Sequence, residues 1–260
     1  MPLVSVVTVC LNAERYLAET MSSVLEQTYP HIEYIVMDGG STDGTLEIIR
    51  SFEPRFEGRL RWVSQPDSGI YDAMNKGIAL CTGEVIGLLN SDDRYLPDAI
   101  TRIVEAARSV PGAGLVYGDV RVIGEDGVLL STEIAEDLKP GDRPDWMPMC
   151  HQSLFVARGV YDALGAYDVT YRILADYEFV LRCLSADVVP LHVPTVVSEF
   201  RVGGLCNTAT LASNRERERI RVLYGANPLV ERVRYLRHRV NIWIHGLLTR
   251  GSSRTTLTGS

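Results

Sequence analysis

The sequence lacks the motifs of several common classes of enzyme site. It contains no G-x-x-x-x-G-K-[ST] loop, no G-x-G-x-x-G after its first apolar run and no G-x-S-x-G elbow. These absences argue against a P-loop nucleotidase, a dinucleotide-binding fold and an α/β-hydrolase. The segment GGSTDG matches the dinucleotide-binding motif only weakly and does not follow the first apolar run, so it does not indicate a dinucleotide site. Carboxylate chemistry is what remains.

Cysteines in metal-binding spacing and long apolar runs are also missing. Five cysteines are scattered without C-x-x-C spacing, which fits neither a disulfide framework nor a zinc site and favours a reducing compartment. No apolar run approaches the roughly 20 residues that a membrane span needs. The segment MPLVSVVTVCLN has no basic region and is interpreted as a first strand rather than a signal peptide. We expect a cytoplasmic protein that is soluble or lies on a membrane surface.

Size and charge narrow the class further. At 260 residues with 46% hydrophobic content, the chain suits one large domain with a sizeable core. A net charge of -7 argues against nucleic acid as the main partner. The charge is uneven, because residues 215–239 contain eight arginines and three glutamates, a local charge of +5.

The first half alternates between short apolar runs and amphipathic segments, which predicts a mainly parallel α/β sheet with helices on both faces. Asn12 and Ser41 are predicted N-caps of the first two helices, and Pro97 is predicted to open the fourth. The predicted strands are residues 3–9, 32–37, 60–64 and 84–89, and the predicted helices are 13–27, 45–52, 71–80 and 97–109.

The second half is less regular. Residues 115–117 are a predicted strand, and residues 120–123 and 128–132 form a predicted hairpin around Glu125-Asp126-Gly127. A long loop over 133–149 precedes predicted strands at 151–157, 188–191 and 195–200, with a helix from about Ala175 to Ser185. Gly203-Gly204 indicates a flexible loop.

The segment EVIGLLNSDD, residues 84–93, is the most informative stretch. Its buried strand places Asp92 and Asp93 at the carboxyl end, where open α/β sheets bind ligands. Buried carboxylates need a cationic partner, and a divalent ion such as Mg²⁺ or Mn²⁺ suits carboxylate and phosphate oxygens. The alternative is a solvated turn in which one of the two caps the helix near Pro97.

The C-terminal segment contains a second amphipathic pattern. Residues 228–249 have one stripe of apolar side chains with arginines on both sides, formed by Leu229, Val233, Leu236, Val240, Ile244 and Leu247. Such a helix suits a lipid interface, here the inner membrane face, or packs on its own domain with a solvated basic face. We divide the chain into a domain of residues 1–225 and a basic helix and tail of residues 226–260.

Several segments of the sequence together resemble a known enzyme family. SVVTVCLNAERYL, IEYIVMDGGSTDGT, QPDSGIYDAMNKG and GEVIGLLNSDD look like family 2 glycosyltransferases of the GT-A fold, in matching order. VYGD, CHQSLF, YRILADYEFVLRC and FRVGGLCNT resemble a subgroup that decorates bacterial O-antigen or capsule units and mycobacterial phenolic glycolipids. The resemblance implies a nucleotide-sugar donor (UDP, GDP or dTDP), a glycan or lipid-linked acceptor and a divalent metal.

The resemblance also implies residues that bind the donor. The nucleoside would be lined by Thr8, Asn12 and Glu14, with Asp38 accepting a hydrogen bond from the base edge. Asp38 as an N-cap is the alternative. Three further residues would contact the ribose or the diphosphate: Asp67, Asp72 and Lys76. The alternative for each of them is a solvated charge on the face of a helix.

The family's D-x-D metal motif is matched by Asn90-Ser91-Asp92, with an amide in the first position. Asp92 is therefore the predicted metal ligand, Ser91 a donor contact and Asp93 a supporting ligand. The metal would neutralise charge on the departing diphosphate. The substitution of Asn90 for the first carboxylate puts the affinity for metal in question.

The resemblance places the catalytic base at Asp176, although Ala175 replaces the preceding acid of the family pattern. A carboxylate there would take the proton of an acceptor hydroxyl, with inversion at the anomeric carbon. A helix N-cap is the alternative for Asp176. Candidates for acceptor contacts and for a closing loop are His151, Gln152, Arg201, Gly203 and Gly204, and His151 also fits a structural histidine.

These residues predict an inverting, metal-dependent glycosyltransferase. A nucleotidyltransferase would use a similar sheet edge, but it usually has a Gly-rich motif after its first strand, which TVCLNAERY lacks. A non-catalytic sugar-nucleotide or membrane-binding module would keep the first half of the chain and have no use for Asp176.

Overall fold

The computed structural model describes residues 1–203 and 211–237. The chain divides into two compact units, residues 1–207 and 208–260. The predicted boundary at residue 225 stays a prediction.

The first unit alternates strands and helices as the sequence pattern predicts. Short 3₁₀ turns lie at Glu53–Phe56 and His151–Ser153. The strands are β1 (Val4–Cys10), β2 (Ile32–Asp38), β3 (Leu60–Ser64), β4 (Val85–Asn90), β5 (Arg94–Tyr95), β6 (Ala113–Ile123), β7 (Leu129–Glu133), β8 (Leu154–Ala157) and β9 (Val189–Arg201). The helices are α1 (Leu17–Leu25), α2 (Thr45–Phe52), α3 (Ile70–Leu80), α4 (Ala99–Ser109), α5 (Arg158–Leu164) and α6 (Ala175–Ser185).

Within the described residues, nine strands form one sheet in the order β3-β2-β1-β4-β8-β6-β9-β5, with β7 beside β6. Strands β1 to β4 are mutually parallel, and β8 is antiparallel to β4 and β6. Every residue of β1 is buried, as expected for a central strand covered on both faces. The predicted mixed, mainly parallel α/β fold is confirmed.

Helices cover both faces of this sheet. On one face, Leu17 and Met21 of α1 join Ile49 of α2 and Ile103 of α4 in the main hydrophobic core. On the other face α3 lies close to β1, because a Cβ at Gly77 would be 2.4 Å from Cγ1 of Val7. Glycine at this position therefore sets the distance between α3 and the sheet.

Two predicted helix starts and two predicted helix caps are wrong. Asn12 does not cap α1, which begins at Leu17; Asn12 has a φ of 50° and its Oδ1 accepts a hydrogen bond from the amide of Thr42. Ser41 does not cap α2, because its hydroxyl donates to Asp38 and the N-cap position is Gly44. α4 begins at Ala99 rather than Pro97. Both predicted caps are used in tertiary contacts instead.

Several predicted breaks in the second half are absent. Residues 113–123 form one strand, and so do residues 189–201, because register shifts near Gly118 and Asp119 let the long strands β6 and β9 stay paired. The β6–β7 hairpin is confirmed. The predicted strand at residues 151–157 begins only at Leu154, since His151–Ser153 form a 3₁₀ turn.

The second unit consists, where described, of α7 (Leu211–Leu223) and a helix at residues 228–237. Arg221 pairs with Glu231 at 3.0 Å between the two helices. Leu229, Val233 and Leu236 of the predicted stripe are exposed, and the rest of the stripe lies outside the described residues. No helix in the described part of the chain is both long enough and apolar enough to cross a membrane.

Candidate active site

The predicted polar residues meet at one edge of the sheet. Strands β1, β2, β3 and β4 are parallel, so their carboxyl ends, near Cys10, Asp38, Ser64 and Asn90, lie side by side. Because β8 runs in the opposite direction, its amino end brings the turn beginning at His151 to the same edge. The edge is therefore built from five segments that are distant in sequence.

The loops after β1 and β2 are joined by hydrogen bonds. Oδ1 of Asn12 accepts from the amide of Thr42 at 2.9 Å, and Oε2 of Glu14 accepts from the amide of Gly44 at 2.8 Å. The left-handed backbone of Asn12, a conformation in which asparagine is enriched, turns the chain toward the second loop. Asn12 and Glu14 are thus brought together on exposed loops, as predicted for a nucleoside site.

Thr8 is not part of that surface. It has no exposed area, and its hydroxyl accepts a hydrogen bond from the hydroxyl of Tyr34 at 2.9 Å in the core. The expectation that Thr8 lines the nucleoside pocket is therefore wrong, because the residue lies inside β1 on the face covered by helices.

Asp38 lies at the end of β2 with only 1% of its surface exposed. Its carboxylate accepts hydrogen bonds from the amide of Gly40, from the amide and hydroxyl of Ser41, and from the hydroxyl of Ser64. Burial raises the pKa of Asp38, but the hydrogen bonds from Ser41 and Ser64 outweigh it, so the pKa lies below its ordinary value. The carboxylate stays ionised and organises the loop after β2.

The loops after β2 and β3 also approach closely. A Cβ at Gly39 would lie 2.6 Å from Oδ2 of Asp67, so only glycine leaves Asp67 in place. Asp72, in the first turn of α3, accepts from the amide of Ser68 and pairs with Lys76 at 2.9 Å. Asp67, Asp72 and Lys76, which were predicted to contact the ribose or diphosphate, therefore lie near one another. Lys76 is already paired with the carboxylate of Asp72.

Asp92 and Asp93 have different surroundings. Asp93 has no exposed surface, and its oxygens accept from the amide of Arg201 at 2.9 Å and the side-chain amide of Asn90 at 3.3 Å. It therefore holds the turn, and its predicted role as a supporting metal ligand is wrong. Asp92 and Ser91 are partly exposed. Burial raises the pKa of Asp92 above its ordinary value, because its own backbone amide and the charges of Arg201 and His151 lower the pKa by less than burial raises it.

Arg201 is not in a mobile loop. It ends β9, is 3% exposed, and its guanidinium donates to the carbonyls of Asp92 and Glu125 and to a carboxylate oxygen of Glu19. These bonds satisfy the side chain inside the protein, and most of the loop at residues 201–207 that was predicted to close over the substrates lies outside the described residues, so its closure stays a prediction. Gly203 has a φ of 119°, and Gly204 lies outside the described residues.

His151 connects the two halves of the site. Its Nε2 is buried and has no hydrogen-bond partner among residues 1–203 and 211–237, and the same holds for Nε2 of Gln152 and Oδ1 of Asn90. Burial lowers the pKa of His151, and the charges of Asp176 and Asp92 raise it in part. The charges of both carboxylates act on the imidazole, and the hydroxyl of Tyr71 at the start of α3 lies 3.1 Å from Oδ1 of Asp176, so Asp176 lies near the edge at which β3 ends.

Asp176 is the second residue of α6, and the N-cap position belongs to Leu174. Its Oδ1 accepts from the amide of Tyr177 at 2.8 Å and lies 3.1 Å from the hydroxyl of Tyr71. The side chain is partly exposed. The N-cap alternative is thus excluded, and Asp176 remains available as a base.

The metal expected from the resemblance fits these residues. Among residues 1–203 and 211–237, no three or more His, Cys, Asp or Glu side chains form a metal-binding group. A small hard cation commonly takes one or two carboxylates and completes its shell with substrate phosphates and water. Asp92 supplies the carboxylate, and the unpaired Oδ1 of Asn90 supplies a neutral oxygen nearby. The donor set suits a diphosphate-bound Mg²⁺ or Mn²⁺.

Tyr71 was not predicted from the sequence, although it contacts Asp176. It occurs within QPDSGIYDAMNKG, the segment that indicated donor contacts. A tyrosine on a predicted amphipathic helix fits the core equally well, so sequence alone gave no reason to select it.

An α/β sheet with a polar carboxyl edge, a metal-suited carboxylate and a second carboxylate near the same edge defines a nucleotide-sugar transferase of the GT-A fold. Residues 5–158 match the model of glycosyl transferase family 2. The chain belongs to this family and is a glycosyltransferase. The nucleotidyltransferase alternative is thereby set aside.

Relatives agree with this membership. The chain is 36% identical over 215 residues to "PGL/p-HBAD biosynthesis glycosyltransferase" of Mycobacterium bovis (strain BCG / Pasteur 1173P2), covering 80% of each. Its fold is similar to that of S. aureus TarS 1-349 in complex with UDP-GlcNAc, with a TM-score of 0.67, 14% identity and coverage of 88% and 69%. It is also similar to the mannosyltransferase PcManGT from Pyrobaculum calidifontis with GDP-Man and Mn²⁺, with a TM-score of 0.63, 20% identity and coverage of 100% and 76%.

Proposed function

We propose that this protein is an inverting, metal-dependent glycosyltransferase that moves one sugar from a nucleotide sugar to a hydroxyl acceptor. One observation carries the proposal: the hydroxyl of Tyr71, at the start of the helix that follows β3, lies 3.1 Å from Oδ1 of Asp176. This contact holds the candidate base near the sheet edge at which β4 ends just before Asp92, the candidate ligand of a diphosphate-bound metal.

The donor would bind along the carboxyl edge from β1 to β4. Asn12 and Glu14 lie on the exposed nucleoside side, and Asp38 fixes the loop that would hold the base. Because the oxygens of Asp38 already have several donors, a nucleobase would displace one of them to bond there. Asp67, Asp72, Lys76 and Ser91 would border the ribose and diphosphate.

Asp92 would hold a divalent ion, with Asn90 beside it. Such an ion neutralises charge on the departing diphosphate. Asp93 and Arg201 act on this ligand indirectly, because they fix the turn after β4 through the amide of Arg201 and the carbonyl of Asp92. Their exclusion from solvent keeps the turn in one conformation.

Asp176 would accept the proton of the acceptor hydroxyl while the oxygen of that hydroxyl forms a bond to the anomeric carbon. The bond between that carbon and the diphosphate oxygen breaks in the same step, so the anomeric configuration inverts. His151 and Gln152 have unpaired nitrogen atoms at this edge and would orient the acceptor or the diphosphate. Positioned general-base catalysis of this kind contributes on the order of 10²–10⁴-fold.

We further propose that the acceptor belongs to a cell-surface glycolipid or polysaccharide. The support is the mycobacterial relative, whose name places it in PGL/p-HBAD biosynthesis. A panel of UDP-, GDP- and dTDP-sugars, tested with Mn²⁺ or Mg²⁺ for nucleotide release in the presence of glycolipid acceptors, tests the function. We expect release with one nucleotide class and none without acceptor; release with none of the donors would contradict the proposal.

The second unit is proposed to lie on the cytoplasmic face of a membrane. Leu229, Val233 and Leu236 are exposed along one side of the helix at 228–237, with Arg232 and Arg237 beside them. Co-sedimentation with anionic liposomes should retain the full chain and lose the chain that lacks residues 228–260. Equal retention would show that the stripe does not bind lipid.

A further inference from the structure

The hydroxyl of Tyr71 links α3 to the start of α6. Tyr71 is the second residue of α3 and is 8% exposed. Its hydroxyl oxygen lies 2.7 Å from the carbonyl oxygen of Ile173 and 3.1 Å from Oδ1 of Asp176. A carbonyl and an ionised carboxylate both accept, so the phenol proton is shared between the two.

The neighbouring contacts leave one oxygen of Asp176 available. Oδ1 accepts from the amide of Tyr177 and from Tyr71, whereas Oδ2 has no hydrogen-bond partner in the described part of the chain. The carboxylate plane is therefore held through Oδ1. Oδ2 is the oxygen that can take a proton from an acceptor hydroxyl.

The ring of Tyr71 is itself fixed. It packs against the ring of Tyr167, with centroids 5.3 Å apart. The side chain of Asn75, one turn further along α3, accepts from the amide of Tyr167 and donates to its carbonyl, at 2.9 and 2.8 Å. Helix α3 thus clamps the segment before α6, and the hydroxyl of Tyr71 has little freedom to leave Asp176.

We propose that Tyr71 is a positioning residue for the base Asp176: its hydroxyl orients the carboxylate so that Oδ2 faces the acceptor, and it stabilises the ionised form. This inference rests on the proposed role of Asp176. Tyr71 adjoins Asp72 on the helix that also contains Lys76, so the same helix would position the base and border the donor.

Among residues 1–203 and 211–237, the titratable groups facing Asp176 come from three segments. They are Tyr71 of α3, Tyr167 of the loop before α6, and His151 of the turn before β8. In general, a hydrogen bond donated to a carboxylate favours its charged form. Removal of the Tyr71 hydroxyl takes one such donor from Asp176.

The test is the pH dependence of kcat in Tyr71→Phe. The acidic limb of the profile, where protonation inactivates the base, should move to higher pH, because the carboxylate loses a hydrogen-bond donor. The shift should be about one pH unit, since the hydroxyl shares its proton with the carbonyl of Ile173 and its bond to the carboxylate is weakened. The donor dissociation constant should stay unchanged. The control is Tyr161→Phe, which removes a hydroxyl from the same aromatic group at a site with no contact to Asp176.

A superimposable pH profile for Tyr71→Phe and wild type would overturn the inference, even if the variant melts at a lower temperature. Incorporation of 3-fluorotyrosine at position 71 provides a second, near-isosteric change. Its more acidic hydroxyl is a stronger donor and should move the acidic limb downward. Asp176→Asn, assayed in parallel, separates the two ideas: an active Asp176→Asn would refute the base itself, whereas an inactive one with an unshifted Tyr71→Phe would refute only the positioning role.

Discussion

Asp176→Asn should bind donor as tightly as wild type and transfer sugar on the order of 10²–10⁴-fold more slowly. The amide is nearly isosteric with the carboxyl group, and its oxygen still accepts hydrogen bonds from Tyr177 and Tyr71. The local structure therefore persists, while the group that would take the acceptor's proton is gone. Initial rates at saturating donor and acceptor, together with calorimetric donor binding, measure the two effects separately.

The matched control is Asp162→Asn, the same chemical change at an exposed position on α5. It should leave both rate and binding unchanged. Unchanged transfer by Asp176→Asn would remove Asp176 from the role of base and favour the alternative of a binding module. Loss of donor binding in Asp176→Asn would instead indicate a role in holding the donor.

Asp92→Ala should lower transfer on the order of 10²–10³-fold and weaken metal-dependent donor binding, because the diphosphate charge loses its stabilising partner. The backbone carbonyl of Asp92, which accepts from Arg201, is retained in this variant. The turn after β4 should therefore persist. Raising the Mn²⁺ concentration should not restore the rate, and donor titrations with and without metal provide the measurement.

Asp93→Asn is the control for this prediction, since the adjacent carboxylate is fully buried. Its side-chain oxygen can still accept from the amide of Arg201, whereas the hydrogen bond from the side-chain amide of Asn90 is lost. We expect a loss of stability of about 1–3 kcal/mol with metal dependence intact. Full metal-independent activity in Asp92→Ala would contradict the proposed ligand.

Local sequence patterns predict most of the fold of the first unit. The buried strands β1, β2 and β4 are mainly apolar runs, and the sequence predicts them and the edge strand β3 within a residue or two. Cap positions were less predictable, because Asn12 and Ser41 have the side chains of helix caps but form tertiary hydrogen bonds: Oδ1 of Asn12 accepts from the amide of Thr42, and the hydroxyl of Ser41 accepts from the amide of Asn12. A cap prediction weighs only the nearest residues and overlooks such partners.

The long strands show the same limit. Gly118-Asp119 resembles a turn in sequence, yet Asp119 accepts from the amide of Ala135 and from His192, so its carboxylate is satisfied inside a strand. The pairing of β6 with β9 over their whole length overrides the local turn preference. The continuation of β6 through Gly118-Asp119 is therefore stabilised by the pairing of the whole sheet and not by local sequence.

For the site, sequence reasoning chose residues of the right type at the right edge but could not separate exposed from buried members. Asp92 and Asp93 are adjacent, and burial assigns one to the surface and the other to the core. Arg201 and Thr8 likewise lie in the interior. The contact between Tyr71 and Asp176 joins positions 105 apart in sequence, which no local pattern indicates.

The anomeric configuration of the product gives the most direct test of single-step transfer by Asp176. Proton NMR of a product made from an α-linked nucleotide sugar reports the new linkage through its anomeric coupling constant. Direct attack by a hydroxyl deprotonated by Asp176 predicts a β-linked product only. An α-linked product would require two displacements or a different mechanism, and it would contradict the assignment of Asp176 as the base of an inverting reaction.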